Sequence, residues 1–181
     1  MKIKVSTLKI GFIFIMFTLG FNELRADSTS NVFCDVRLSI APKGYFKKAS
    51  DTSTQTLFAF ENTFYYKLNN VGLGIGTGIN NSNYFVDDLR GFKRVYQAPL
   101  FFSIKLSSSE SNVHIFENFG LNIPVISTLQ NISPGYYFQS GFGFGYSQLK
   151  AEISYKIITL ARDKGPLINN NFTLGLCFTI K

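Results

Sequence analysis

The chain has 181 residues, of which 45% are hydrophobic and 16% aromatic, and its formal charge is +7 at pH 7. This length is sufficient for one domain with a core of its own. Its 2 cysteines, Cys34 and Cys177, are too few for a disulfide scaffold, and alternation places them on opposite strand faces. We therefore expect a fold held by packing and hydrogen bonds, with the two thiols unlinked.

The first 26 residues have the features of a secretory signal peptide. A lysine-containing leader precedes an apolar run over 10–21, and residues 24–26 end in alanine at an acceptable cleavage site. The run is too short to cross a bilayer as a helix, since an uncleaved anchor would need roughly 18 or more apolar residues. We expect cleavage near Ala26 and one domain over 27–181.

The charge of this domain is only mildly basic. Removing residues 1–26 takes Lys2, Lys4, Lys9, Arg25 and Glu23 out of the count, so the formal charge falls from +7 to +4. An excess of this size in an exported protein does not favour a nucleic-acid-binding function.

Beyond residue 26 the chain consists of extended segments rich in Phe, Tyr, Ile, Val and Leu, separated by clusters of Asn, Ser, Gly, Asp and Lys. No convincing amphipathic helix and no interdomain linker interrupt this pattern. We predict eight strands, over 32–42, 55–68, 71–83, 95–107, 113–127, 135–147, 149–162 and 171–181.

Each predicted strand has one apolar and one small or polar face, because successive side chains of a strand point in opposite directions. The alternation is clearest over 135–147, where large residues on one parity face glycines on the other. Charged residues of both signs collect on the non-apolar face. We predict that this face lines a polar lumen whose ionic residues are Asp35, Arg37, Glu61, Lys105, Glu152 and Lys156.

The fifth strand departs from this pattern. Glu117 shares a face with apolar residues, and Pro124 removes a ladder donor near the strand end. A carboxylate facing lipid is costly away from an interface, so we predict a bulge that resets the parity here. Pro99 predicts a strand end or a bulge in the fourth strand.

The predicted connections alternate in length around the meander. Those at 69–70, 108–112 and 148 are tight, and those at 43–54, 82–94, 128–134 and 163–170 are longer. Short turns at one end and long loops at the other are typical of a transmembrane barrel. The long loops carry cations that either contact the phosphates of lipopolysaccharide or are merely solvated: Lys43, Lys47, Lys48, Arg90, Lys93 and Arg94.

Alternation alone does not decide which face points outward. A secreted soluble barrel would enclose an apolar ligand with its apolar face. Glycines instead suit the crowded interior of a narrow barrel, and tyrosines near the strand ends suit the aromatic girdles of a membrane protein. The tyrosines assigned to girdles are Tyr66, Tyr84, Tyr96, Tyr136 and Tyr146. We therefore predict an all-β fold, an eight-stranded antiparallel up-and-down transmembrane β-barrel.

With these features the chain resembles the small eight-stranded outer-membrane barrel proteins of Gram-negative bacteria, in the style of the porin-like barrels of Bacteroidetes. The resemblance is carried by the signal peptide, the alternating-glycine run 71–78, the segment 98–105, the glycine-aromatic strand 141–146 and the last strand. It implies an outer-membrane location, with lipid, lipopolysaccharide and the barrel assembly machinery as partners. Barrels of this family usually end on an aromatic residue, whereas this chain continues from Phe178 through Thr179, Ile180 and Lys181.

Some barrels of this family modify lipids, which would require a nucleophile and an orienting carboxylate within reach of a histidine. The one histidine, His114, is followed by Ile115 and Phe116 and lacks the histidine-x-serine arrangement of the barrel deacylases. One histidine and two distant cysteines do not predict a metal site. We expect a structural or surface-interaction protein without catalytic residues, cofactor or wide pore; a ligand-carrying soluble barrel and a lipid A-modifying enzyme are the alternatives.

Overall fold

The computed structural model describes residues 31–41, 55–86, 91–108, 112–129, 131–146, 148–163 and 165–180. The expected signal peptide and its cleavage point lie outside this range. Among the described residues, no helix is long and apolar enough to cross a membrane.

The described chain forms one antiparallel sheet that closes on itself. The strands are β1 (Val32–Ile40), β2 (Gln55–Leu68), β3 (Val71–Val86), β4 (Gly91–Ser107), β5 (Val113–Ser127), β6 (Ile132–Ser133), β7 (Gly135–Tyr146), β8 (Leu149–Arg162) and β9 (Leu167–Ile180). Each long strand pairs with its neighbour in the sequence, and β9 pairs with both β8 and β1. The two-residue strand β6 pairs only with the end of β8. The eight long strands thus confirm the predicted barrel.

Its outer surface is apolar. Phe142, Phe144, Leu174 and Leu176 are between 47% and 54% exposed on the outside of the closed sheet. The opposite parity of the same strands is buried inside. The apolar faces therefore point away from the barrel interior, and a ligand carrier would need them to point inward.

Glycines make room for large side chains inside the barrel. A Cβ at Gly76 would lie 2.4 Å from the ring of Phe101, and one at Gly143 would lie 2.2 Å from the ring of His114. Such distances are far below van der Waals contact. The alternating glycines are thus required by close packing across the interior.

Three strands, β3, β4 and β9, are longer than the sequence predicted. The β3–β4 ladder continues to Val86 opposite Gly91, and the β8–β9 ladder begins at Leu167 opposite Leu160. The connections that join them cover only 87–90 and 163–166. The predicted long loops at 82–94 and 163–170 were wrong to that extent, because polar residues such as Asn83 continue the ladder. At the opposite end, Asn69 adopts a positive φ of 55° in the tight β2–β3 turn.

The fifth strand has a bulge, as predicted, but this bulge does not move Glu117 to the inner face. Glu117 pairs with Ile104 on β4 and with Ser140 on β7 in unbroken registers, and its side chain is exposed on the outer surface. The β4–β5 register shifts instead between Tyr96 and Gln97, beside Pro124. A proline has no amide hydrogen to donate, so a bulge at this position costs little.

Pro99 lies inside β4, in register with Asn122, and the β4–β5 register shift between Tyr96 and Gln97 lies two residues before it, as predicted. The prediction for Tyr84 needs correction. Tyr84 is 0% exposed and points into the barrel, because it shares the parity of the inward-facing glycines of β3. Tyr66, Tyr136 and Tyr146 are exposed by 51%, 75% and 83%, as the outer girdles require.

Candidate functional site

The interior nearest the tight turns is ionic. Arg37 of β1 pairs with Glu152 of β8, and the same carboxylate contacts His114 Nε2 at 2.8 Å. All three residues are at most 3% exposed. The guanidinium carbon of Arg37 also lies 4.1 Å from the centre of the Phe116 ring, so the cation is held by a carboxylate and an aromatic face.

A second ion pair lies beside the first. Lys105 of β4 pairs with Asp35 of β1. Thr179 of β9 donates a hydrogen bond of 2.7 Å from Oγ1 to the other oxygen of this carboxylate. Both oxygens of Asp35 are thus satisfied across three strands, which favours its buried charge.

The third ion pair lies further from the turns. Lys156 Nζ of β8 is 2.6 Å from Glu61 Oε1 of β2, and the hydroxyl of Tyr137 donates to the same oxygen at 2.8 Å. The structure therefore places all six predicted lumen residues inside the barrel and joins them as three ion pairs. Each ion pair joins two strands that are not neighbours in the sheet.

Neutral side chains extend this ionic cluster. Hydrogen bonds of 2.6 to 2.9 Å join them in a chain that crosses the interior. Its members are Tyr65, Ser103, Asn118, Gln139, Ser154 and Thr173. We call these residues and the three ion pairs the ionic half.

The end that bears the longer connections is filled differently. Its inward-facing residues form an apolar cluster, which we call the plug: Tyr84, Val95, Leu129, Leu160 and Leu167, with Ile132 packed against them. Phe101, Tyr137 and Ile158 form a smaller apolar cluster between the plug and the ionic half. Gln97 connects the plug to β5, because its amide nitrogen donates to the Tyr84 hydroxyl at 2.8 Å and its oxygen accepts from Asn122.

The plug was not predicted from the sequence. Leu160 and Ile158 have the same parity as Glu152 and Lys156, so following the inner parity to the end of β8 would have revealed them. Leu129 follows β5 after its bulge, and no periodicity of the sequence places it in the interior.

The predicted loop cations divide into two groups. Lys43, Lys47, Lys48 and Arg90 lie outside the described residues. Lys93 and Arg94 belong to β4 and not to a loop, because the β3–β4 ladder runs past them. Arg94 is exposed on the outer parity, whereas Lys93 is half-buried opposite Tyr84.

The chemistry available to the described side chains is that of ion pairing. His114 is the one histidine, and its Nε2 contacts a carboxylate that is also paired with Arg37. Among the described residues, no three His, Cys, Asp or Glu side chains come together as a metal site. Both cysteines are buried free thiols, and Cys177 lies opposite Arg37 at the β1–β9 seam.

Comparison with known proteins extends the fold assignment. No family model matches the sequence, and no curated protein matches it either. Among solved structures, the crystal structure of Neisserial surface protein A is similar with a TM-score of 0.50 at 8% identity, covering 82% of this chain and 97% of that one. Ail, the attachment invasion locus protein of Yersinia pestis, has a TM-score of 0.46 at 12% identity, with coverages of 82% and 96%. At 8% identity the likeness to Neisserial surface protein A shows the fold alone: an eight-stranded antiparallel barrel of the kind found in outer-membrane proteins.

Proposed function

We propose that this protein is an exported outer-membrane β-barrel that acts in the envelope as a structural or surface-interaction protein, without a wide pore. The observation that carries the proposal is a distribution of polar and apolar side chains opposite to that of a soluble protein. The outer wall of the closed sheet is apolar, whereas ion pairs fill the inside.

The exposed tyrosines of β7 support membrane insertion. Tyr136 and Tyr146 lie at opposite ends of the strand, and both are largely exposed. Ten residues of a strand tilted by about 40° rise by roughly 25 Å, which is the height of the apolar band of outer-membrane barrels. Tyrosine prefers the two interfaces of such a band.

The filled interior supports the absence of a wide pore. Buried ion pairs occupy the ionic half and the plug closes the end that bears the longer connections. Eight strands enclose a space that side chains nearly fill. A solute would have to displace a paired charge and an apolar cluster to pass.

The alternatives lack this support. A soluble carrier of apolar ligands would require an apolar internal cavity, whereas the described interior is crossed by hydrogen bonds and ion pairs. A lipid A-modifying enzyme would require an activated nucleophile beside His114. The carboxylate that contacts His114 is engaged by Arg37, and we therefore propose a non-catalytic role.

The partners we propose are outer-membrane lipid, the barrel assembly machinery and lipopolysaccharide. Arg94 is an exposed outward-facing cation beyond Tyr96, where a lipopolysaccharide phosphate would lie. We expect Arg94→Ala to weaken retention of purified lipopolysaccharide on the barrel, and unchanged retention would remove Arg94 from this role. Lys43, Lys47, Lys48 and Arg90 remain candidates for the same contact.

Cell fractionation of the expressed full chain tests the proposal. We expect the protein in the outer-membrane fraction, with detergent-dependent extraction and heat-modifiable migration on gels. Proteolysis of intact cells should cleave the 43–54 segment. Free solubility in the periplasm would contradict membrane insertion, and large stable conductance in planar bilayers would contradict the closed interior.

A further inference from the structure

One outward-facing side chain does not fit the apolar wall. Between the tyrosine girdles, Glu117 is the only charged residue on the outer parity of the described strands. It is exposed, and residues on the same face before and after it, Ile115 and Phe119, are exposed apolar side chains. No described residue forms a hydrogen bond or ion pair with it.

The strand register gives the depth of this carboxylate. Glu117 is paired with Ser140, which lies four residues from Tyr136 and six from Tyr146 along β7. With about 3.4 Å per residue and a tilt of about 40°, Ser140 is roughly 10 Å from one girdle and 16 Å from the other. Glu117 therefore lies near the middle of the apolar band rather than at an interface.

A carboxylate at this depth has an unfavourable free energy of insertion unless a partner forms a hydrogen bond or ion pair with it. Ionisable groups within a membrane are rare, usually paired, and mark functional contacts. Glu117 cannot reach the lumen, because the adjacent positions 116 and 118 occupy the inner face. Its partner must come from outside the barrel wall.

Together with the proposed membrane insertion, on which this inference rests, the geometry points to a second copy of this chain as the partner, docked on the β5–β7 face. Glu117 is an acceptor and Ser140, directly beside it, is a hydroxyl donor. In a two-fold arrangement each Glu117 accepts from the Ser140 of the other copy, so the pair is self-complementary.

The rest of the outer surface offers no counter-charge to Glu117. No outward-facing Lys or Arg between the girdles is present in the described strands, so a hydroxyl donor such as Ser140 is the complement that a second barrel supplies. The flanking surface is suited to packing between barrels, since Phe102 and Phe119 lie 5.9 Å apart beside it and Phe138 and Phe142 flank Ser140. A small residue, Ser140, between these aromatic rings permits close approach of the second copy.

Site-directed cross-linking in outer membranes tests the inference. Ser140 is itself a proposed donor, so the cross-linking probe is its neighbour on the same face. We expect Phe142→Cys to give covalent dimers on oxidation or with a short bismaleimide. Leu38→Cys is the matched control, because Leu38 is 56% exposed on β1, outside the β5–β7 face, and Phe142 is 47% exposed. The unmodified chain controls for its own thiols, which are 2% and 0% exposed.

Substitution of Glu117 tests the polar contact itself. By energy transfer between labelled barrels in vesicles of phosphatidylcholine and phosphatidylglycerol, we expect Glu117→Leu to lower the dimer fraction at least tenfold at a fixed protein-to-lipid ratio. Glu117→Gln, which keeps an acceptor, should retain at least half of it. Heat-modifiable migration verifies folding of each variant.

Three results would overturn the inference: dimer yields at position 142 no greater than at position 38, dimers that persist in Glu117→Leu, or a cross-linked product containing a different protein. Should Glu117→Leu not fold, the comparison of positions 142 and 38 still decides. Failure of the proposed function is recognised separately, since the unmodified protein would then be absent from the outer-membrane fraction.

Discussion

The two halves of the barrel interior are filled by opposite means. The ionic half holds three buried ion pairs and a chain of neutral hydrogen bonds. The plug holds five buried residues, four of them aliphatic and one a hydrogen-bonded tyrosine. Both halves lie behind the same apolar outer wall, so the difference arises from the side chains that face inward.

The comparison shows what each filling contributes. Apolar contacts in the plug do not require a defined orientation between side chains. Leu129, which lies in the connection after β5, can therefore be part of the plug. Ion pairs require defined geometry between distant strands, such as Arg37 on β1 with Glu152 on β8, and leave a large penalty when one partner is lost. The ionic half therefore specifies which strands meet, and the plug closes the end from which the longer connections emerge.

The largest effect is expected from breaking an ion pair in the ionic half. Glu152→Leu removes the acceptor of both Arg37 and His114 and leaves the guanidinium buried without a counter-charge. We expect a loss of about 3–5 kcal/mol in the free energy of unfolding. Urea titration in detergent micelles, followed by circular dichroism, measures it.

The double variant Arg37→Leu with Glu152→Leu is the control. It removes both charges, so its unfolding free energy should lie closer to that of the original protein than the value for Glu152→Leu alone. A single variant that costs less than about 1 kcal/mol would contradict the ionic half as a stabilising element.

A cavity in the plug is expected to cost nearly as much. Leu160 is 0% exposed among the plug residues, so Leu160→Ala should destabilise the barrel by about 2–5 kcal/mol. Leu160→Met preserves most of the volume and should cost less than about 1.5 kcal/mol. Equal stability of the two variants in the same urea titration would show that the plug is loosely packed.

Added volume at the boundary of the two halves has a smaller expected effect. A Cβ at Gly120 would lie 2.1 Å from the Leu100 carbonyl oxygen, whereas one at Gly72 would lie 3.1 Å from the Tyr65 side chain. Gly120→Ala should cost about 1–3 kcal/mol because the backbone must move. Gly72→Ala should cost less, because a side chain can adjust; the reverse order of melting temperatures would contradict the packing described.

The sequence predicted much of the ionic half but little of the plug. Strict alternation places Asp35, Arg37 and Glu61 on the face opposite the apolar residues, and charged side chains stand out on such a face. Which carboxylate meets which cation depends on sheet closure, and this brings β1 beside β9 through contacts that alternation does not specify.

The errors concern residues whose chemistry and position disagree. Tyr84 was predicted to lie in a girdle from its chemistry and not from its parity, which places it on the inner face. The predicted third strand ended at Asn83, in a polar cluster of low strand propensity, whereas pairing with β4 continues the ladder to Val86. The predicted bulge would have turned the Glu117 side chain away from lipid. Its pairing with Ile104 on β4 and Ser140 on β7 instead keeps it on the outer face.

The last expected effect is confined to one hydrogen bond, that of Tyr137, which lies between the two halves. Its ring stacks on Phe101 with centroids 5.1 Å apart, and its hydroxyl donates to the Glu61 carboxylate that also binds Lys156. Tyr137→Phe keeps the ring and removes one hydrogen bond to a charged group, so we expect a loss of about 1.5–3 kcal/mol. Tyr65→Phe is the matched control: its hydroxyl bonds to the neutral Ser103 at 2.6 Å, and the expected loss is about 0.5–1.5 kcal/mol. If urea titration gave the two variants equal unfolding free energies, the hydrogen bond from Tyr137 to Glu61 would contribute no more than one between neutral groups. Lys156 alone would then stabilise the Glu61 carboxylate.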